Sequence, residues 1–282
     1  MTLSRRGLLA GVAPALTGAG PSGQGGSKVR IIDAHGHLAH HSRPDWAETD
    51  RQVMEAYDKL GIDQACCSIV TTRRAPEAFR DCNQWVFDAM RRYPGRILGY
   101  AFVNPGYGKA ALDEVRRCVE ERGFVGIKLY NDYVVTEPVV WPLIELAIEL
   151  RVPILHHAGH VSWLSAPQPR ISDGAAFAEI GRRYPEAMII CAHICGGGDW
   201  EWEIKALRNA PSIYLDTSGS VADEGVVEMA VDHLGADRLL FACDMSFTAS
   251  VGRMRSANVS QAVKEKIYGG NMQRILGRRV KS

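Results

Sequence analysis

A chain of 282 residues, 46% hydrophobic and 23% charged, has the composition of an ordinary soluble globular protein and excludes disordered, fibrous and membrane-embedded classes. Its formal net charge of +1 speaks against a nucleic-acid partner, because the densest basic clusters, Arg73-Arg74 and Arg182-Arg183, are too short to form a stripe.

The first 27 residues read apart from the rest. Ser4-Arg5-Arg6 precedes the apolar run Gly7 to Leu16, and a Gly/Ser/Pro-rich stretch continues to Gly26. A charged start, a short apolar run and small residues after it describe a signal peptide, and the paired arginines point to the twin-arginine (Tat) export machinery. The run is too short and too rich in glycine to span a bilayer stably. The expected division is therefore a leader and flexible linker over 1–27 and one catalytic domain over 28–282. The expected location is periplasmic or extracellular, with the cytoplasm as the alternative.

From residue 28 onward, short apolar β-branched runs alternate with longer amphipathic ones. Strands are predicted at 29–34, 65–70, 97–103, 124–130, 152–157, 187–192, 212–216 and 238–243. Helices are predicted near 49–60, 76–93, 109–122, 139–150, 174–184, 199–209, 223–234 and 260–276. The strands are nearly continuous apolar runs, as in a parallel sheet covered on both faces. Eight such repeats at a spacing of about 30 residues fit a closed (β/α)8 TIM barrel in a single α/β domain. A doubly wound open sheet is the runner-up, but no Gly-rich phosphate turn follows the first strand. Cys66, Cys67, Cys191 and Cys243 fall inside predicted strands and read as small buried hydrophobes. The seven cysteines match neither a disulfide framework nor a CxxC zinc motif.

The chemistry-bearing residues sit where barrel enzymes keep theirs, at the C-terminal ends of strands. Asp33-Ala34-His35-Gly36-His37 closes the first strand, and alternation puts His35 and His37 on one side, where two neutral imidazoles suit Zn, Mn, Fe or Ni. Strand five ends in His156-His157, strand six in His193 and strand eight in Asp244. Strand four carries Lys128, a charge that is costly in an apolar strand unless it is paired or lines a cavity. Each could be a satisfied core residue; five such ends at one rim are hard to explain that way.

The motifs DAHGHL, GFVGIKLY, VPILHHAG, AHICGG, IYLDTSG and LLFACDM resemble the amidohydrolase superfamily. Within it they resemble the amidohydrolase-2 group that includes the aminocarboxymuconate-semialdehyde and resorcylate decarboxylases. The resemblance runs from about residue 29 to 277 and implies one divalent ion, Zn first and Mn or another next. It makes His35, His37, His157 and Asp244 the metal ligands, with Asp244 also exchanging protons. His193 is implied either to bind a second metal or to polarise water and substrate. Lys128, Asp216 and His156 are placed around these groups as substrate contacts or supports, Lys128 uncarboxylated. The strand-eight run Cys243-Asp244-Met245-Ser246 departs from the group's usual Ser-Asp-aromatic-Pro, which leaves the shape of the pocket open.

The activity expected first is hydrolysis of an amide, lactone or ester of a small molecule by activated water. The alternative is non-oxidative decarboxylation of an aromatic or enoic acid, for which Arg253 and Arg255 are candidate cations. A catalytically silent barrel is a third reading, weakened because no ligand position is missing. The loops Leu38–Glu48 and His160–Ile171, with Trp163, are the candidate pocket walls. A homodimer contact through Trp141, Trp200 or Trp202 is a further expectation.

Overall fold

The computed structural model describes residues 30–72, 75–159, 170–194, 200–219 and 223–278. The proposed leader, Arg73-Arg74, Cys195 and most of the 160–171 loop with Trp163 lie outside these residues. The described chain alternates strand and helix eight times. The strands are β1 (Ile32–His37), β2 (Gln64–Ser68), β3 (Ile97–Phe102), β4 (Gly126–Leu129), β5 (Ile154–His156), β6 (Ile189–Cys191), β7 (Ile213–Asp216) and β8 (Leu239–Leu240). Each is parallel to the next, in sequence order. The helices between them are α1 (Trp46–Leu60), α2 (Pro76–Arg92), α3 (Lys109–Arg116), α4 (Trp141–Leu150), α5 (Gly174–Arg183), α6 (Trp200–Leu207) and α7 (Val226–Leu234). After β8 come α8 (Phe247–Ser256), α9 (Gln261–Glu265) and α10 (Asn271–Leu276). This is a single-domain (β/α)8 barrel, as expected.

Two apolar layers hold it. Ile32, Ala34, Cys66, Tyr100, Leu155 and Ile190 belong to the cluster that fills the barrel, whereas Ile127, Leu129, Cys191, Leu215 and Phe241 pack outward against the helices. Alternation along each strand assigns the two sides. The six described cysteines are all buried free thiols, which fits the reading of strand cysteines as small hydrophobes. No described helix is long and apolar enough to cross a membrane.

The ring closes between β1 and the segment after β8. Ala34 N–H donates to the Phe241 carbonyl at 2.8 Å, and Asp244 N–H donates to the His35 carbonyl at 2.7 Å. Asp33 reinforces the seam: its Oδ1 accepts from Cys243 N–H at 2.9 Å and its Oδ2 from the Tyr57 hydroxyl at 3.0 Å. The seam explains why β8 is shorter than the predicted 238–243.

Three features depart from the sequence reading. The first strand runs through His37 instead of stopping at residue 34. The helix predicted at 109–122 changes pitch after Arg116 and finishes as a π turn, Arg117–Glu121. A helix over Phe247–Ser256 was not predicted, because its Gly, Ser and Arg content hides the apolar stripe. Tertiary packing of Val251 and Met254 sets it.

The closing π turn, Lys266–Gly270, meets the bottom of β1 so tightly that a Cβ on Gly269 would lie 1.7 Å from the Arg30 carbonyl oxygen. Gly252 in α8 has nothing within 4 Å of the same atom. Gly269→Ala should therefore cost about 1–3 kcal/mol by forced displacement. Gly252→Ala should gain up to roughly 1 kcal/mol from helix propensity. Urea unfolding midpoints check both, and equal shifts would contradict the close approach.

Candidate active site

Seven of the eight singled-out side chains gather at the C-terminal rim. His35 and His37 come from the end of β1, Lys128 from β4, His157 from just past β5, His193 from past β6, Asp216 from the end of β7 and Asp244 from past β8. His35, His193 and Asp244 each offer a ligand atom within 4.8 Å of the other two. His37 Nε2 lies 3.1 Å from Asp244 Oδ1, and His157 Nδ1 lies 3.1 Å from His193 Nε2. The eighth, His156, faces the helix layer, bonded to the His157 carbonyl at 2.7 Å and edge-on to Phe177. It is a packed residue, as strand alternation expects.

Three of these side chains point inward against the strand phase. On β1, Ile32 and Ala34 fill the barrel, so simple alternation would turn His35 outward. The β1–β2 register slips between Asp33 and Gly36, and this bulge re-aims His35 and His37. On β6, Ala192 is the inward residue, and His193 is brought in by a left-handed backbone, φ 71°. Asp244 and Met245 share that conformation at φ 43° and 62°. Left-handed non-glycine residues are unfavourable and persist where neighbours over-determine them. Here Asp216 Oδ1 accepts His193 N–H at 3.0 Å, and the His35 carbonyl accepts Asp244 N–H.

The hydrogen positions follow from the partners. Asp216 is fully buried; burial pushes its carboxyl up, but the bond to His35 and the neighbouring imidazoles outweigh this and bring it down to about 2. As an ionised acceptor, Asp216 Oδ2 takes His35 Nδ1–H at 2.9 Å. His35 Nε2 is then bare and accepts from Lys128 Nζ at 2.8 Å. Asp216 Oδ1 takes the Ser218 hydroxyl at 2.6 Å, so Ser218 Oγ in turn accepts His193 Nδ1–H at 2.9 Å. His193 Nε2 is left bare and accepts from His157 Nδ1–H. The last nitrogen of this chain, His157 Nε2, is buried without a hydrogen-bond partner among the described residues.

Protonation agrees with these assignments. Burial, helped by Lys128, pushes His35 down to about 3, and burial pushes His157 and His193 down as well. Burial and no opposing anion strong enough to offset it bring Lys128 down to about 8. Burial alone would push Asp244 up, but the imidazoles of His35, His37 and His193 hold it well below the usual carboxylate range. His35, His157 and His193 are thus held as neutral imidazoles beside an ionised Asp244, the protonation state that metal ligands need.

Two observations test the fit of a divalent ion. His157 Nε2 is a buried lone pair without a donor, a costly arrangement for a group with no further partner. His37 Nδ1 meets both the Ser68 carbonyl at 3.1 Å and the Ser68 hydroxyl at 3.3 Å; when it donates to the carbonyl, its Nε2 is a bare nitrogen 3.1 Å from Asp244 Oδ1, a pair that a cation would reconcile. Among the described residues the ligand atoms of His35, His193 and Asp244 lie close enough together for one cation, with His37 Nε2 beside Asp244 and His157 Nδ1 beside His193. Among the described residues of this group, the His37 and Asp244 side chains are 18% and 28% exposed, and the others are buried.

Sequence reasoning missed Ser218, although it lies inside the quoted DTSG run. It also missed Tyr130, whose ring stacks on His157 at 4.3 Å. Of the two arginines singled out as cations for a substrate acid, Arg255 is exposed. Arg253 is turned inward onto backbone carbonyls of the loop after β7. In the loop after β1, His41 stacks between Trp46 and Trp85, which pins this expected pocket wall to α1 and α2.

Comparison with known proteins bears on this rim. The family model described as Amidohydrolase matches residues 32–278. The gamma-resorcylate decarboxylase of Polaromonas sp. strain JS666 is 25% identical, over 82% of this chain and 90% of that protein. The crystal structure of a dihydroxybenzoic acid decarboxylase from Polaromonas sp. JS666, with bound manganese and the inhibitor 2-nitroresorcinol, superposes with a TM-score of 0.69. It is 21% identical, covering 88% of this chain and 97% of its own. A 5-carboxyvanillate decarboxylase from Sphingomonas paucimobilis gives 0.70 at 16% identity, covering 89% and 100%.

Asp216 bonds to ligand side chains without reaching the open face, so its loss should be felt through them. Asp216→Asn should weaken binding of a divalent ion about 10–100-fold, read by calorimetric titration of the metal-free protein, with the far-UV spectrum retained. Wild-type affinity in that variant would contradict the role of the Asp216 carboxylate.

Proposed function

The chain belongs to the amidohydrolase family, and on that premise we propose that it is a metal-dependent decarboxylase of a hydroxylated aromatic acid. One observation carries the reading: similarity to a gamma-resorcylate decarboxylase extends over 82% of this chain and 90% of that protein. This reverses the order of the two activities expected from the sequence, where the leader tipped the balance towards hydrolysis.

When bound, the ion supplies a positive centre that draws in the acid's carboxylate and neighbouring hydroxyl oxygens. His35, His37, His157 and Asp244 would hold it, with His193 beside them. Lys128, the buried cation closest to these donors, adds attraction for the incoming carboxylate. The acid enters on the side where His37 and Asp244 are exposed. Asp244 takes the proton of the ring hydroxyl and passes it to the ring carbon that bears the carboxylate. The carbon–carboxylate bond breaks, its electron pair remains on the ring carbon and is captured by that proton, and carbon dioxide leaves. His193 Nδ1, 3.4 Å from Asp244 Oδ2, orients the carboxyl oxygen that moves the proton. The buried walls keep water from competing for it.

The donor set is rich in imidazole, which favours Zn, while the similar dihydroxybenzoic acid decarboxylase carries manganese. Metal-free protein reloaded with each ion in turn should release carbon dioxide from dihydroxybenzoates with at least one of them. Asp244→Asn should lose about 10²–10⁴-fold in turnover. Cleavage of an amide, lactone or ester without carbon dioxide release would overturn the decarboxylase reading in favour of hydrolysis.

Export by the twin-arginine route and pairing of two barrels complete the proposal. The first is supported by Arg5-Arg6 and the apolar run after them, the second by Trp202, 74% exposed on α6. Cell fractionation of the full chain should place it outside the cytoplasm. Sedimentation should give a dimer that Trp202→Ser weakens; a cytoplasmic monomer would contradict both parts.

A further inference from the structure

The loop that follows β7 supplies the two groups at the root of the hydrogen-bond chain, Asp216 and Ser218, and a loop backbone needs something to hold it. Thr217 and Ser218 are fully buried, and Gly219 has φ 111°, a conformation that favours glycine. Thr217 N–H is satisfied by the Leu240 carbonyl at 2.8 Å, and Ser218 N–H by Asp216 Oδ1 at 2.9 Å. The carbonyls of Thr217 and Gly219 are satisfied by one side chain. Arg253, 7% exposed on α8, donates from Nη1 to the Thr217 oxygen and from Nη2 to the Gly219 oxygen at 2.9 Å. Among the described residues no other group donates to either carbonyl.

We infer that Arg253 is a positioning residue for the metal-binding imidazoles: by clamping the carbonyls on both sides of Ser218, it aims the Ser218 hydroxyl and so selects the tautomers of His193 and His157. The planar guanidinium suits this task because its donors form a rigid fork. The two contacts straddle the one residue whose side chain bridges Asp216 and His193. With Ser218 Oγ donating to Asp216, His193 holds its hydrogen on Nδ1 and His157 on its own Nδ1, which leaves His157 Nε2 as a buried lone pair without a donor among the described residues. If the Ser218 hydroxyl turns away, His193 is free to hold its hydrogen on Nε2. His157 then accepts at Nδ1, its hydrogen moves to Nε2, and the ligand lone pair is lost. Arg253 touches neither the ion nor the acid in this scheme; its influence runs through the loop.

The inference rests on the reading of this rim as an ion site, and the test separates the two. Long-range ¹H–¹⁵N correlation spectra of the metal-free protein report which ring nitrogen of each histidine carries hydrogen, and Mn²⁺ titration reports affinity. The wild type should show His193 and His157 as Nδ1–H tautomers. Arg253→Met and Ser218→Ala should both mix those tautomers and weaken Mn²⁺ about 10–100-fold, the usual range for a lost outer partner. In the loaded enzyme kcat should fall with little change in KM. Arg253→Lys, which reaches one carbonyl at a time, should lie between wild type and Arg253→Met. Wild-type tautomers and Mn²⁺ affinity in Arg253→Met, with only the melting temperature lowered, would overturn the inference and leave Arg253 as an ordinary packing residue. If Arg253→Met does not fold, Arg253→Lys decides in the same way. Absence of Mn²⁺ binding by the wild type would count against the ion site, while the ring-nitrogen spectra would still judge Arg253.

Discussion

One buried carboxylate organises the catalytic rim. Asp216 accepts hydrogen bonds from His35 Nδ1, from the backbone of His193 and from both the backbone and the hydroxyl of Ser218. An ionised carboxylate is expensive to bury, and only such a set of donors offsets the cost. Because it can only accept, it dictates where the hydrogens of its neighbours sit. His35 Nε2 is left as the acceptor that meets Lys128 Nζ, and, through Ser218 and His193, His157 Nε2 is left as a buried lone pair. On the proposed reading the imidazoles are thus prepared to bind before any ion arrives, which is the usual work of outer partners at metal sites.

The barrel makes this arrangement possible by giving each element a separate task. The strands bring seven ionisable groups to one rim, while the layers beneath and outside them are apolar. The seam between β1 and the segment after β8 joins His35 to Asp244 through their backbones. Strain is confined to the same rim: His193, Asp244 and Met245 are three of the four left-handed non-glycine residues described. Backbone held in such conformations by its neighbours marks sites where geometry is fixed in advance of chemistry. The order of events is therefore packing first, then strain and hydrogen bonding at the rim, then charge.

Much of this was legible in the sequence, for identifiable reasons. Parallel barrels have continuous apolar strands and short connections, so eight runs ending in His37, Lys128, His157, His193, Asp216 and Asp244 could be aligned by ear of the pattern alone. His157 over His156 followed from the family resemblance, whose strand-five pattern it fits, and the two-residue period of a strand agreed. What stayed hidden involves departures from that period. No alternation rule foretells the register slip between Asp33 and Gly36 or the left-handed turn at His193. Helix α8 was unreadable because its apolar stripe is interrupted by Gly252, Arg253 and Arg255, and Arg253 was taken for a substrate cation for want of any view of the carbonyls it holds. Ser218 carried no signal beyond its place in a run whose aspartate drew the attention.

The central claim is that five side chains, His35, His37, His157, His193 and Asp244, surround a single divalent ion. Elemental analysis of protein purified without chelators tests it most directly. The account predicts about one Zn or Mn ion per chain, lost when His157 is replaced by Ala, since its buried Nε2 has no other partner. A chain that holds no divalent ion even after incubation with Zn²⁺ and Mn²⁺, or a His157→Ala variant that holds its ion unchanged, would contradict it.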